Sequence, residues 1–113
     1  MEINNRISQD EFGQLLQQHP ATLIYFFQDT CGVCAMLYPK VEAMIQERFP
    51  QLEIIRIEAE KNRELAGQLR MLAIPGIMLM LDGKEYMRSN GLIGLGELQD
   101  KIGRYYSLMF DSQ

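Results

Sequence analysis

Cys31 and Cys34, in the segment Cys31-Gly32-Val33-Cys34, are the residues of this sequence best suited to chemistry, and they are its only cysteines. They follow the apolar run Leu23 to Phe27 and precede a long stretch with helical spacing, so the pair is expected at a strand-to-helix junction. There the free N–H groups of the first helical turn and the positive end of the helix dipole favour a thiolate. Such surroundings lower a thiol pKa from about 8.5 into the range of roughly 3.5 to 7.5. Cys31 is therefore the expected nucleophile. Cys34, one turn further in, is placed to attack a mixed disulfide on Cys31, so the pair can cycle between dithiol and disulfide. Two other readings share this spacing. Half of a four-ligand zinc site looks the same, but a closed site needs four ligands, and the chain adds only His19; a site shared between two copies stays open. Two buried inert cysteines are the structural alternative, which an exposed strand-to-helix loop disfavours. A disulfide closing so short a loop would add little stability.

The elements that position the pair read as an alternating series. Ile3 to Ile7 is a short strand candidate. Ser8-Gln9-Asp10-Glu11 has capping-box form ahead of the apolar positions Phe12, Leu15 and Leu16, and that helix stops by His19 because Pro20 follows. Leu23 to Phe27 has the continuous apolar character of a strand buried on both faces. From Val33 to Phe49 the positions Val33, Leu37, Val41, Met44, Ile45 and Phe49 recur at helical spacing, with Pro39 predicting a kink. Leu52 to Ile57 reads as a strand, Glu60 to Leu69 as a short polar helix, and Ile77 to Leu81 as another buried strand. Asp82-Gly83 is a two-residue hairpin signal that pairs Glu85 to Arg88 back onto it. After the loop Gly91 to Gly94, Leu95 to Met109 closes the chain as an amphipathic helix. The order βαβαβαββα implies an α/β fold, a mixed central sheet with helices on both faces.

Composition sets the frame. The chain has 113 residues, 47% hydrophobic and 23% charged, which suits one domain over residues 1–113. Eleven Lys and Arg against fifteen Asp and Glu give a net charge of −4, so no nucleic-acid partner is expected. The start of the chain lacks the apolar core of a signal peptide, and the longest apolar run is far short of a membrane span. A cytoplasmic protein without a membrane partner is expected, and in that reducing compartment a cysteine pair needs a chemical rather than a stapling explanation.

With these elements in place, the sequence resembles the thioredoxin family over essentially its whole length. The CxxC after an apolar strand, Pro39 five residues past Cys34, Ala73-Ile74-Pro75 against the family's Gly-Ile-Pro, the Asp82-Gly83 turn and Gly91 after the last strand all fall at the family's spacings. The resemblance implies a thioredoxin-like fold and a protein-disulfide oxidoreductase in which Cys31 attacks and Cys34 resolves. It implies that Pro75 is a cis-proline packed against the pair and that Ile74 backbone groups pair with a substrate strand. Thr30, Gly32 and Val33 then line the substrate groove, and Gly91 and Leu92 form its facing rim. No metal or organic cofactor is implied. The implied partners are protein disulfides and an external thiol reductase such as a thioredoxin reductase, with the protein acting as a monomer in electron transport and cell redox homeostasis. A redox-sensing or protein-binding module that uses the same groove without turnover is the alternative.

The departures from the family pattern are specific. Thioredoxins usually read Trp-Cys-Gly-Pro-Cys, whereas Thr30 precedes this pair and Val33 sits inside it. Val33 keeps the N–H that proline lacks, and this N–H is expected to donate to the Cys31 thiolate. The family's buried Asp, six residues before the first Cys, is Tyr25 here, and its nearby Lys is Arg56. With a reference pKa of about 10, tyrosine is a poor proton acceptor at neutral pH, so Tyr25 reads foremost as a core aromatic. Met36, Met44, Met71, Met78 and Met80 read as core rather than as a copper stripe. Glu58, Glu60, Lys61, Arg63 and Glu64 read as a solvated helix face, and His19 as a surface residue. Asn90-Gly91-Leu92 lacks the Gly-Gly and acidic residues of glutathione-binding relatives.

Overall fold

The computed structural model describes residues 1–110. β1 (Glu2–Ile3) leads to α1 (Gln9–Gln18), which opens on the capping box: Glu11 N–H donates to Ser8 Oγ and Ser8 N–H to the Glu11 carboxylate. Two otherwise unpaired donors are thereby satisfied. His19 ends this helix with its N–H on the Leu15 carbonyl, and it is half-buried rather than a free surface residue. β2 (Ala21–Phe27) is buried at all seven positions, and α2 (Gly32–Arg48) follows with Pro39 inside it. β3 (Glu53–Glu58) comes next. A 3-10 turn (Glu60–Asn62) then runs into the short α3 (Arg63–Gln68). β4 (Gly76–Leu81), β5 (Lys84–Asn90) and α4 (Leu95–Phe110) complete the order.

The sheet order is β1-β3-β2-β4-β5. β2 lies at its centre, parallel to β3 and antiparallel to β4, which explains why its sequence is apolar without alternation. The β4–β5 hairpin turns at Asp82 and Gly83, both with positive φ (52° and 77°), the backbone demanded by a two-residue turn matching the strand twist. Helices α2 and α4 cover one face with Val41, Ile45, Leu98 and Ile102 against Leu23, Tyr25 and Leu79. On the other face α1 and α3 bring Phe12, Leu16 and Leu65 against Ile24, Ile55 and Met78. Each fully buried aliphatic side chain of this kind contributes about 1.5–3 kcal/mol of transfer free energy. No helix among the described residues is long and apolar enough to cross a membrane.

Further sequence expectations need correction. The first strand covers Glu2–Ile3 rather than Ile3 to Ile7, because the Ile7 N–H is taken by the Asn62 side chain at 2.8 Å rather than by a neighbouring strand. The polar helix from Glu60 is a 3-10 turn followed by a separate six-residue helix. Val33 does not belong to the apolar stripe of α2: Cys34, Val41 and Ile45 face inward, and Val33, one residue off that face, is 47% exposed. Met36 is not core either; it is 73% exposed, whereas Met71, Met78 and Met80 are buried as expected.

Candidate active site

The chain leaves the sheet at the end of β2, and the next four residues carry it to the start of α2. Cys31 is the N-cap of that helix, in an extended conformation (φ −90°, ψ 100°), and its Sγ accepts the N–H of Cys34 at 3.2 Å. An N-cap side chain pairing with the third helical N–H is what unsatisfied first-turn donors require. On the oxidised pair the donor to Cys31 Sγ is the Cys34 N–H. Cys31 and Cys34 are joined as a disulfide, with Cα atoms 5.3 Å apart. The two sulfurs are unequal: Cys31 is half-buried while Cys34 is 2% exposed. An incoming thiol or disulfide therefore reaches Cys31 first.

The approach to Cys31 is held by a buried carboxylate. Glu58, expected on a solvated face, is 2% exposed at the end of β3. It accepts the Asp29 N–H at 2.8 Å and the Lys61 N–H at 3.0 Å. Asp29 stands two residues before Cys31, so Glu58 ties the cysteine loop to the 3-10 turn. Asn62 reinforces the junction by donating to the carbonyls of Glu58 and Asn5. Nothing local in the sequence marks Glu58 as buried; the only signal is that it ends an otherwise buried strand.

Pro75 and its neighbours lie beside the end of β2, from which the cysteine loop departs. The Ile74–Pro75 peptide bond is cis, and Pro75 is buried. The sheet register pairs Phe26 with Gly76, so Pro75 stands beside Phe27, where the cysteine loop departs. Gly91 N–H donates to the Pro75 carbonyl at 2.9 Å, and its φ of 99° is a backbone that suits glycine. Thr30, Gly32 and Leu92 are exposed, and Ile74 is half-buried. Val33, Met36, Leu72 at 84% and Leu92 at 73% are exposed apolar side chains. The sequence reading expected Leu92 at the groove rim and Met36 in the core and did not single out Leu72, whose exposure is visible only in the fold.

Behind the pair, Tyr25 is fully buried, and its hydroxyl donates to the Cys34 carbonyl at 2.8 Å. Burial pushes its pKa up to about 12, with the Arg56 charge opposing. Tyr25 thus stays a neutral donor and no base. Its ring meets Tyr38 edge-on at 5.2 Å. Tyr38 donates to the Glu42 carboxylate, and burial followed by that carboxylate raises its pKa as well. Arg56 stacks 3.9 Å from the Tyr38 ring centroid and 5.0 Å from that of Phe27, and its charge meets Glu2 at 2.8 Å. Tyr25 and Arg56 are cross-strand neighbours in the β2–β3 register. Among the described residues, no group of three or more His, Cys, Asp or Glu side chains is arranged to hold a metal ion.

This geometry supports thiol-disulfide exchange: an accessible sulfur at a helix N-terminus and a buried partner sulfur within bonding reach. Comparison with known proteins agrees. The sequence model of the family described as Thioredoxin matches residues 4–104. The chain is 36% identical over 99 residues to a thioredoxin of Chlamydia muridarum, a match covering 88% of this chain and 95% of that one. It is 28% identical over 93 residues to the thioredoxin-like protein YdfQ of Bacillus subtilis, 82% of each chain. Among solved structures, Fasciola hepatica thioredoxin superposes with a TM-score of 0.77 at 27% identity, covering 92% of this chain and 98% of that one.

Proposed function

The chain belongs to the thioredoxin family and is a protein-disulfide oxidoreductase; we propose that it reduces protein disulfides in two exchange steps, with Cys31 attacking and Cys34 resolving. The observation that carries this order is the asymmetry of the pair, half-exposed Cys31 at the N-cap of α2 and Cys34 at 2% exposure. In the first step the Cys31 thiolate attacks one sulfur of the substrate disulfide. A Cys31–substrate bond forms, the substrate S–S bond breaks, and the departing thiolate takes a proton. In the second step the Cys34 thiolate attacks Cys31 Sγ. The intramolecular disulfide forms and the second substrate sulfur leaves, so two electrons pass from the pair to the substrate. An external thiol reductase restores the dithiol.

The substrate strand lies against Ile74 and Pro75, with backbone pairing to Ile74, and Thr30, Gly32, Val33, Gly91 and Leu92 complete the groove. The exposed Val33, Leu72 and Leu92 favour apolar side chains beside the target cysteine. Tyr25 and Arg56 support the helix from below without taking a proton. The protein works as a monomer in the cytoplasm, where a reducing environment lets the cysteine pair cycle rather than staple the fold.

Insulin reduction driven by dithiothreitol, comparing wild type with Cys31→Ser, tests the proposal. Wild-type turnover above the variant is expected. A wild-type rate no higher than that of Cys31→Ser refutes it and leaves a binding module that holds partners without turnover.

A further inference from the structure

Resting on the reading that substrate strands pair with Ile74, we infer that Arg88 is the positioning residue for the loop that presents Ile74 and Pro75, acting through the C-terminal end of α3. Arg88 lies on β5 opposite Met78, which packs on the face covered by α1 and α3. Its Nη1 donates to the Arg70 carbonyl and its Nη2 to the Leu69 carbonyl, each at 2.9 Å. Its Nε and Nη2 donate to the two oxygens of Glu85, each at 2.6 Å. A planar guanidinium can reach two successive carbonyls and a carboxylate at once, which lysine cannot.

The clamp falls where the backbone most needs one. α3 has six residues, too few to hold itself by helical hydrogen bonds alone. The last carbonyls of a helix lack internal partners and carry the negative end of its dipole, so a cation there both pairs and stabilises them. Leu69 is the C-cap of α3, and Arg70, with φ of 55°, turns the chain out of the helix. Met71 follows, buried, with its N–H on the Ala66 carbonyl at 2.9 Å. Only Leu72 and Ala73 then separate it from Ile74 and the cis-proline. The far end of the loop is fixed by Gly91 on the Pro75 carbonyl, so Arg88 supplies the near anchor.

Strand β5 is shaped to make this contact. Strict alternation would put Glu85 and Arg88 on opposite faces of the sheet. The register passes from Leu79↔Met87 to Met80↔Glu85, leaving Tyr86 without a partner on β4. That irregularity turns Glu85 to the same side as Arg88, where it fixes the guanidinium against the two carbonyls.

The test separates the loop from the thiols by using two substrates. Insulin brings a strand to pair with Ile74; the small aromatic disulfide dithiobis(nitrobenzoate) does not. Arg88→Met is expected to raise the KM for insulin about fivefold with kcat within about twofold, the effect of losing charge-assisted bonds that order a binding loop. Its rate with dithiobis(nitrobenzoate) should stay at the wild-type value. Arg88→Lys, able to reach one carbonyl, should fall between the two and decides the matter by the same comparison if Arg88→Met does not fold. An unchanged insulin KM, or equal losses on both substrates, overturns the inference. Amide exchange at Met71 reads the clamp without turnover: faster exchange in Arg88→Lys is expected, and unchanged exchange overturns it. A wild type no better than Cys31→Ser with insulin would instead remove the functional reading beneath it, an outcome visible before any Arg88 variant is compared.

Discussion

Replacing Tyr25 by Phe removes one oxygen from a fully buried site and makes a prediction with a sign that depends on pH. At neutral pH the hydroxyl donates to the Cys34 carbonyl at 2.8 Å, and its loss should cost about 1–1.5 kcal/mol, the net value of one buried neutral hydrogen bond. At high pH the same hydroxyl becomes a liability. Tyr25 ionises near 12 in the folded protein against a reference of 10.0, so the unfolded chain releases the proton first. A group whose folded pKa is raised stabilises fully below its unfolded pKa and loses that contribution as pH climbs through the window between the two values. Here the window runs from pH 10 to about 12. Halfway through it, near pH 11, wild type should have lost about 1.4 kcal/mol that Tyr25→Phe never had. The two effects then cancel, and the variant, less stable at pH 7, should match wild type near pH 11. Urea unfolding of the oxidised proteins, which contain no free cysteine, at pH 7, 9, 10 and 11 measures the difference directly. Both chains share every other titrating group, so the subtraction reports Tyr25 together with its charge coupling to Arg56 and Tyr38. A difference that is constant from pH 7 to 11, or absent at pH 7, would refute the assignment of a neutral buried donor.

Three further predictions concern the walls of the site. Val33→Pro deletes an N–H in the first turn of α2 while leaving the Cys34 N–H on Cys31 Sγ; if the Val33 N–H serves the thiolate on reduction, the variant potential falls by about 20 mV, one hydrogen bond's worth, and a potential equal to or above wild type in a redox titration contradicts this. Gly76→Ala would place Cβ 2.7 Å from Met71 Cγ and 2.9 Å from the Ala73 carbonyl; a backbone oxygen cannot rotate away, so a loss of about 1–3 kcal/mol is expected, read as a lower urea midpoint. Glu58→Gln sets an amide NH2 against one of the two N–H donors of Asp29 and Lys61, at a cost of about 1–3 kcal/mol; wild-type stability on thermal melting would show that the carboxylate is not what holds the cysteine loop.

The parts of this fold that could be read from the sequence are those whose cause is local. The capping box at Ser8 and Glu11, the Asp82-Gly83 turn and the unbroken apolar character of β2 each depend on residues a few positions apart. Cys31 and Cys34 were equally legible, since a strand end and a helix start within a few residues fix their setting. What escaped depends on distant partners. Glu58 resembles its charged neighbours in sequence, yet its oxygens are consumed by backbone donors on two loops, one of them 29 residues away. Arg88 looks like an ordinary edge-strand cation until the register shift of β5 and the end of α3 meet around it. Val33 shares the apolar spacing of Val41 and Ile45 yet lies off the face they bury, and Met36, apolar by type, is exposed on the same helix.

The exchange of the family's Asp and Lys for Tyr25 and Arg56 is best understood as one coupled change. The two residues face each other in the β2–β3 register. A cation at residue 56 with no carboxylate opposite must find its compensation elsewhere. Arg56 does so outward, on Glu2 at the sheet edge and over the rings of Tyr38 and Phe27; a guanidinium stacks on aromatic faces and is more weakly hydrated than the ammonium of lysine. With the charge so directed, position 25 can be apolar except for one hydroxyl, and that hydroxyl is spent on the backbone of Cys34 rather than on its sulfur. Behind the resolving cysteine there is thus a fixed neutral dipole where the family pattern has an ionisable acid. Residue 25 thus offers no carboxylate to take the Cys34 proton, and because its hydroxyl ionises only near 12, Tyr25→Phe should leave the pH profile of mixed-disulfide release, followed by stopped-flow, without a lost ionisation below pH 9.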